Sequence, residues 1–135
     1  MKLEKIIEDE ANGAGFKERE HLRPDREKVL ATLDRLDGKA FSSTLFLLDD
    51  ENYMSVGGGN DHRYVVFIAV NVDEKLYTLT NPDASKDETV DVVVGGQSGS
   101  YPKNQVVDKE HARKALLYFC DHGTADPGLA WEIEE

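Results

Sequence analysis

Apolar residues recur at helical spacing from Val29 and Leu30 through Leu33 to Leu36, while Arg26, Glu27, Asp34 and Arg35 hold the opposite side. A stripe of this kind predicts a helix with one face on a core and the other in water. Pro24 suits its first position, where the missing N–H has no partner to lose, and Gly38 suits the residue past its end. A second helix is marked more completely. Asp108 is placed as an N-cap, Val107 and Ala112 as a hydrophobic staple, and Ala112, Ala115, Leu116 and Phe119 as the buried stripe, with Gly123 as terminator.

Between the helices the period changes from helical to that of strands. Residues 40–48 are rich in strand formers, Asp49-Asp50-Glu51-Asn52 breaks the run, and residues 53–56 return, which predicts a hairpin. Eight of the nine residues 64–72 are apolar, aromatic or β-branched. Such a run predicts a central strand covered on both faces. An Asp73-Glu74-Lys75 turn leads to residues 76–80, Asn81-Pro82-Asp83 turns again, and Val90, Val92 and Val94 alternate along residues 89–94. Connections this short exclude parallel crossovers, so residues 64–94 are expected as an antiparallel meander. After Asp126-Pro127-Gly128, Leu129, Trp131 and Ile133 mark one face of a last short strand.

The expected fold class is α+β, a mostly antiparallel sheet of about six to seven strands with two main helices packed on it. Residues 1–20 carry too few apolar anchors for a firm element. They are read as an arm holding a short helix or an edge strand, before a single domain over residues 21–135.

Composition narrows the function classes. With 135 residues the chain supports one hydrophobic core, and 39% hydrophobic against 32% charged residues describes a folding chain with a well-solvated surface. The net charge of -11 repels phosphate backbones and disfavours direct binding of nucleic acid. The same field attracts a basic partner, and it also simply keeps a protein in solution. Up to Gly38 there are 8 basic and 10 acidic residues (net -2), and beyond it 8 and 17 (net -9), so the excess acid lies in the second part. One cysteine, Cys120, makes no internal disulfide, and no long apolar run follows the charged start, so a cytoplasmic location with no membrane span is expected.

No set of residues with catalytic spacing emerges. Cys120 and His122 are two apart, which on a helix points them to different sides, and Cys120 reads as a small core filler. Zinc spacings such as Cys-x-x-Cys are missing, and residues 83–91 lack the register of a calcium loop. Gly95-Gly96-Gln97-Ser98-Gly99-Ser100 resembles a nucleophile elbow only superficially, since Ser100 stands where the motif needs glycine. Gly57, Gly58 and Gly59 make neither a dinucleotide fingerprint nor a P-loop. Both runs read as backbone bends needing positive φ or close approach, and Trp131 reads as a ring closing the core. No catalytic residue, cofactor or metal is expected.

From the first glycine run onward the chain resembles a family of immunity proteins of bacterial polymorphic toxin systems. The resemblance rests on Gly57-Gly58-Gly59-Asn60, Leu79-Thr80-Asn81-Pro82-Asp83-Ala84 and Gly95-Gly96-Gln97-Ser98-Gly99-Ser100-Tyr101-Pro102. It continues through Val106-Val107-Asp108 to Ala115, Phe119, Gly123, Leu129 and Trp131, and covers roughly residues 40–132. It implies a non-enzyme that binds the toxic C-terminal domain of an effector and blocks its active site or substrate groove. The toxins of such systems are often nucleic-acid-directed deaminases or nucleases, hence basic. The glycines and Trp131 would then be scaffold, and toxin contacts are expected in the acidic loops at Asp49, Asp50, Glu51, Asn60, Asp61, Asp87 and Glu88. A monomer or weak dimer is expected. The alternative is a small-molecule or nucleotide-binding regulatory module using the two glycine loops as a cradle; an enzyme pairing Cys120 with His111 or His122 ranks last.

Overall fold

The computed structural model describes residues 1–72 and 74–135. Among the described residues nine strands and two α-helices follow in the order β1 (Lys5–Asn12), β2 (Gly15–Leu22), α1 (Arg26–Arg35), β3 (Phe41–Leu47), β4 (Tyr53–Gly58), β5 (Tyr64–Val70), β6 (Lys75–Thr80), β7 (Thr89–Val94), β8 (Gln97–Pro102), α2 (Lys109–His122) and β9 (Ala130–Glu134). Seven strands form one antiparallel sheet in the order β2-β1-β3-β4-β5-β6-β9, and β7 pairs with β8 in a separate hairpin. This is the α+β class expected.

Both helices pack on one face of the sheet. Ile6, Phe46, Met54, Val56, Val66, Ile68 and Leu79 point from the strands into a cluster with Val29, Leu33 and Leu36 of the α1 segment and Ala112, Ala115, Leu116 and Phe119 of α2. In α2 the Asp108 carboxylate accepts the His111 N–H at 2.9 Å, and Gly123 ends the helix at φ +73. Val107 and Ala112 are both buried, as a staple requires.

The first helix begins two residues later than expected, at Arg26. Asp25 caps it by accepting the Lys28 N–H at 2.8 Å, so Pro24 sits buried before the cap rather than at the first helical position. A carboxylate can satisfy one of the orphan N–H groups of the first turn, which proline cannot.

The first twenty residues contribute a hairpin. A two-residue loop at Gly13 and Ala14 joins β1 to β2, with Asn12 opposite Gly15. Leu3 and Ile6 enter the core, and the Lys2 N–H donates to the Cys120 carbonyl at 2.7 Å, tying the start of the chain to α2. β2 itself is almost wholly exposed and exists by pairing with β1, which is why its own sequence carries no apolar pattern.

Two further expectations are corrected. β7 does not continue the meander, which runs only through β3, β4, β5 and β6; β9 takes the place beside β6. Gly95 and Gly96, both at positive φ (62 and 79), form a two-residue turn that folds β8 back onto β7. Nor is β5 covered on both faces: Tyr64, Val66 and Ile68 are buried, while Val65 and Phe67 on the other side are only half-buried. The Asp73-Glu74-Lys75 turn falls partly outside the described residues at Asp73, and Lys75 begins β6.

Candidate functional site

The acidic loops are divided between opposite ends of the sheet. Asp49, Asp50 and Glu51 lie in the β3–β4 turn, at the Tyr53 end of β4, whereas Asn60 and Asp61 follow its Gly58 end. Asp87 and Glu88 lie between β6 and β7, at that second end, because Thr80 of β6 runs out beside the start of β5. The length of β4 puts about 20 Å between the two groups. They do not form one patch.

Within each group some residues are occupied internally. The Asp49 carboxylate accepts the backbone N–H groups of Glu51 and Asn52, each at 2.8 Å, and the Asn52 amide at 3.0 Å. Those bonds, the Glu51 N–H first, hold its pKa below the ordinary carboxylate value. Asn52 in turn accepts the Asn71 N–H, so the turn is fastened to the end of β5. Asn60 accepts the Val93 N–H at 3.0 Å and thereby anchors β7. Glu88 meets the Lys103 ammonium at 3.3 Å. Asp50, Glu51, Asp61 and Asp87 are exposed with side chains turned to water.

The glycine loops are filled by the chain itself. A Cβ on Gly59 (φ +105) would stand 2.3 Å from the Leu36 carbonyl oxygen, and one on Gly58 2.4 Å from that of Arg63. One on Gly96 would meet the Phe16 ring at 2.3 Å. The room that glycine provides at these three positions is taken by backbone and ring, as expected of bends rather than of a phosphate cradle. Trp131 is half-buried, stacks edge-on against Tyr77 and donates its indole N–H to the Asp126 carbonyl at 2.9 Å.

Cys120 is buried, and that burial pushes its thiol up to about 12. His111 bonds Asp108 at 2.7 Å, and His122 lies against the Tyr118 ring with centroids 4.3 Å apart. No Cys–His pair is assembled from these three. Among the described residues no three His, Cys, Asp or Glu side chains gather as metal ligands.

The sheet face turned away from the helices was missed by sequence reasoning. Cross-strand register aligns Glu20, Ile7, Leu45, Ser55, Phe67, Thr78 and Glu132 in one row across all seven strands. The next row runs Leu22, Lys5, Leu47, Tyr53, Ala69, Leu76 and Glu134. Ile7, Leu45, Tyr53, Phe67 and Leu76 are half-buried and belong to no part of the core cluster, Leu47, Ser55 and Ala69 in the same rows are buried, and Val94 of β7 stands over Gly57 at one end of this face. Tyr53 and Phe67 meet edge to face with centroids 6.5 Å apart. They line a shallow hollow with Leu76, Lys75, Glu134 and Glu135. Both rows thus run from an apolar and aromatic middle to acid at β9, and the first to acid at β2 as well. The signal was present in the alternation of Val65 and Phe67 with Tyr64, Val66 and Ile68, but an unbroken apolar run hides which side is open.

The chain matches the family model described as Immunity protein Imm1 over residues 17–132, from within β2 to within β9. No curated protein and no solved structure matches it.

Proposed function

We propose that this chain, which belongs to the Imm1 immunity protein family, binds the toxic domain of a cognate bacterial toxin in the cytoplasm and neutralises it by covering its active site or substrate groove. The observation that carries the reading is the family match over residues 17–132. The physical character of the chain supports it: a net charge of -11 and a rigid sheet with outward acidic turns suit the capture of a basic protein. A toxin that handles nucleic acid needs a basic groove for the phosphate backbone, and an acidic inhibitor competes for that groove electrostatically. Asp50, Glu51, Asp61 and Asp87 serve such an encounter as steering charges at the two ends of the sheet, while Asp49 and Asn60 shape their loops.

The filled glycine loops favour this reading over a nucleotide-binding module, since a cradle needs open backbone N–H groups and these bends are packed against Leu36, Arg63 and Phe16. The test is co-expression with the toxic domain encoded immediately upstream. Cells producing both should grow, and the purified pair should co-elute, with association slowed by added salt. Growth arrest despite abundant folded chain would overturn the proposal.

A further inference from the structure

We propose that the docking surface for the toxin is the open face of the seven-stranded sheet, with the hollow between Tyr53, Phe67 and Leu76 receiving an Arg or Lys side chain of the toxin against Glu134. The inference rests on the neutralisation reading and adds its location.

Size separates the face from the loops. A stable protein–protein interface covers about 800 Å² on each partner. Seven strands spaced about 4.8 Å apart and about 20 Å long offer a face approaching that size, with its Gly57 end covered by Val94 of β7. Neither acidic turn group alone does, and the two are about 20 Å apart. A partner laid on the face, by contrast, reaches the turns at both ends.

Chemistry selects the occupant. Apart from Ser55 and Thr78 the middle of the face is apolar and aromatic, the composition that anchors binding energy once water is excluded, and its margins at Glu18, Glu20, Glu132 and Glu134 are acidic. Lys5 is the basic residue of these rows and Lys75 that of the hollow, and both are already paired, with Glu20 at 3.5 Å and with Glu135 at 3.4 Å. A guanidinium or ammonium group entering the hollow meets aromatic rings and a carboxylate together, which rewards desolvating a cation twice over. Glu132 is held by the Asn104 and Gln105 amides, each at 3.2 Å, and Glu20 by Lys5, so an acidic or neutral partner would leave Glu18 and Glu134 facing no counter-charge.

The experiment measures affinity of the purified upstream-encoded toxic domain for the full chain and three variants, each checked for an unchanged melting profile. Phe67→Ala removes the central ring. Thr78→Arg sets a cation in the middle of the face beside Glu132, on a half-exposed position that tolerates it. Glu110→Lys, on the exposed side of α2, changes charge elsewhere. The two face variants should weaken binding about 30-fold or more, the scale of a hot-spot loss, with Glu110→Lys within about 3-fold of wild type. Backbone amides of β4 and β5 should also gain protection from hydrogen exchange in the complex only through contact on this face.

If wild type binds and both face variants bind equally well, the face is refuted while neutralisation stands. If wild type does not bind at all, neutralisation falls and the face falls with it. Should Phe67→Ala melt early, Thr78→Arg alone decides.

Discussion

Replacing Glu8 by Gln tests how the N-terminal hairpin is held. Glu8 is wholly buried in β1, and one of its oxygens meets His21 Nε2 of β2 at 2.7 Å. Arg35 at the end of α1 donates to both of its oxygens, from Nη2 at 2.6 Å and from Nε at 3.2 Å. The Arg35 guanidinium also lies 5.3 Å from the centre of the Phe41 ring. One carboxylate therefore joins hairpin, helix and β3. Removing one partner of a fully buried pair costs about 3 to 5 kcal/mol. Here Arg35 keeps 35% and His21 19% of its side chain in contact with solvent, and water recovers part of the loss. About 2 to 3 kcal/mol is expected for Glu8→Gln. At this chain length each kcal/mol lowers Tm by about 3 to 4 °C, so the variant should melt about 6 to 12 °C early. Arg35→Met should cost more than Glu8→Gln, because it leaves the charge of Glu8 buried with fewer donors. A double-mutant cycle by thermal melting and urea denaturation separates the pair energy from the single costs. If Glu8→Gln melts within about 1 °C of wild type, the carboxylate does not fasten these elements and the reasoning fails.

Three shorter tests address the scaffold. Gly59→Ala should lower stability by more than about 2 kcal/mol in urea denaturation, because φ +105 is joined by a 2.3 Å approach to the Leu36 carbonyl; Gly13→Ala, at φ +63 with nothing within 4 Å, should cost only about 1 kcal/mol. Asp108→Ala should cost about 1 kcal/mol by removing the cap of α2. The pKa of Asp108 is lowered by the His111 N–H first, so its contribution is full above the unfolded value of 3.8 and is lost as pH falls through the folded value; melting profiles of wild type and variant should therefore converge as pH is taken down from 3.8. Cys120, buried and with its thiol at about 12, should resist iodoacetamide at pH 8 in the folded chain and react once in urea, as counted by mass spectrometry.

The elements that sequence displays are those whose local chemistry and tertiary role agree. Asp108, Val107, Ala112 and Gly123 each do in α2 what their residue types predict. What stays hidden depends on pairing. β8, with the sequence Gln97-Ser98-Gly99-Ser100-Tyr101-Pro102, has no apolar alternation and becomes a strand because the Gly95-Gly96 turn lays it against β7. β2 is polar apart from Phe16 and Leu22 and is held by its pairing with β1 and by the contacts of His21 with Glu8, Arg19 with Glu10 and Glu20 with Lys5. The choice of β9 over β7 as neighbour of β6 is settled by a helix and a turn lying between them in the chain, which no local pattern records. The candidate surface is of the same kind. Loop residues such as Asp50 and Asp61 announce themselves by charge, whereas Ile7, Leu45, Phe67 and Leu76 come from four strands and meet only through register.

The order of the strands also bears on how the molecule opens. β3 to β6 are sequence neighbours joined by short turns, but β1 reaches β3 across α1 and β9 reaches β6 across α2. The inner four strands close small loops, while the outer ones close large ones and hold fewer core side chains. Local opening will therefore start at the borders, with amides of β2 and β9 exchanging before those of β4 and β5. Glu18, Glu20, Glu132 and Glu134 ride on those border strands, and Tyr53 and Phe67 on the inner ones. The charge at the edge of the candidate surface is carried by the strands expected to open first, and the rings at its middle by the strands expected to open last.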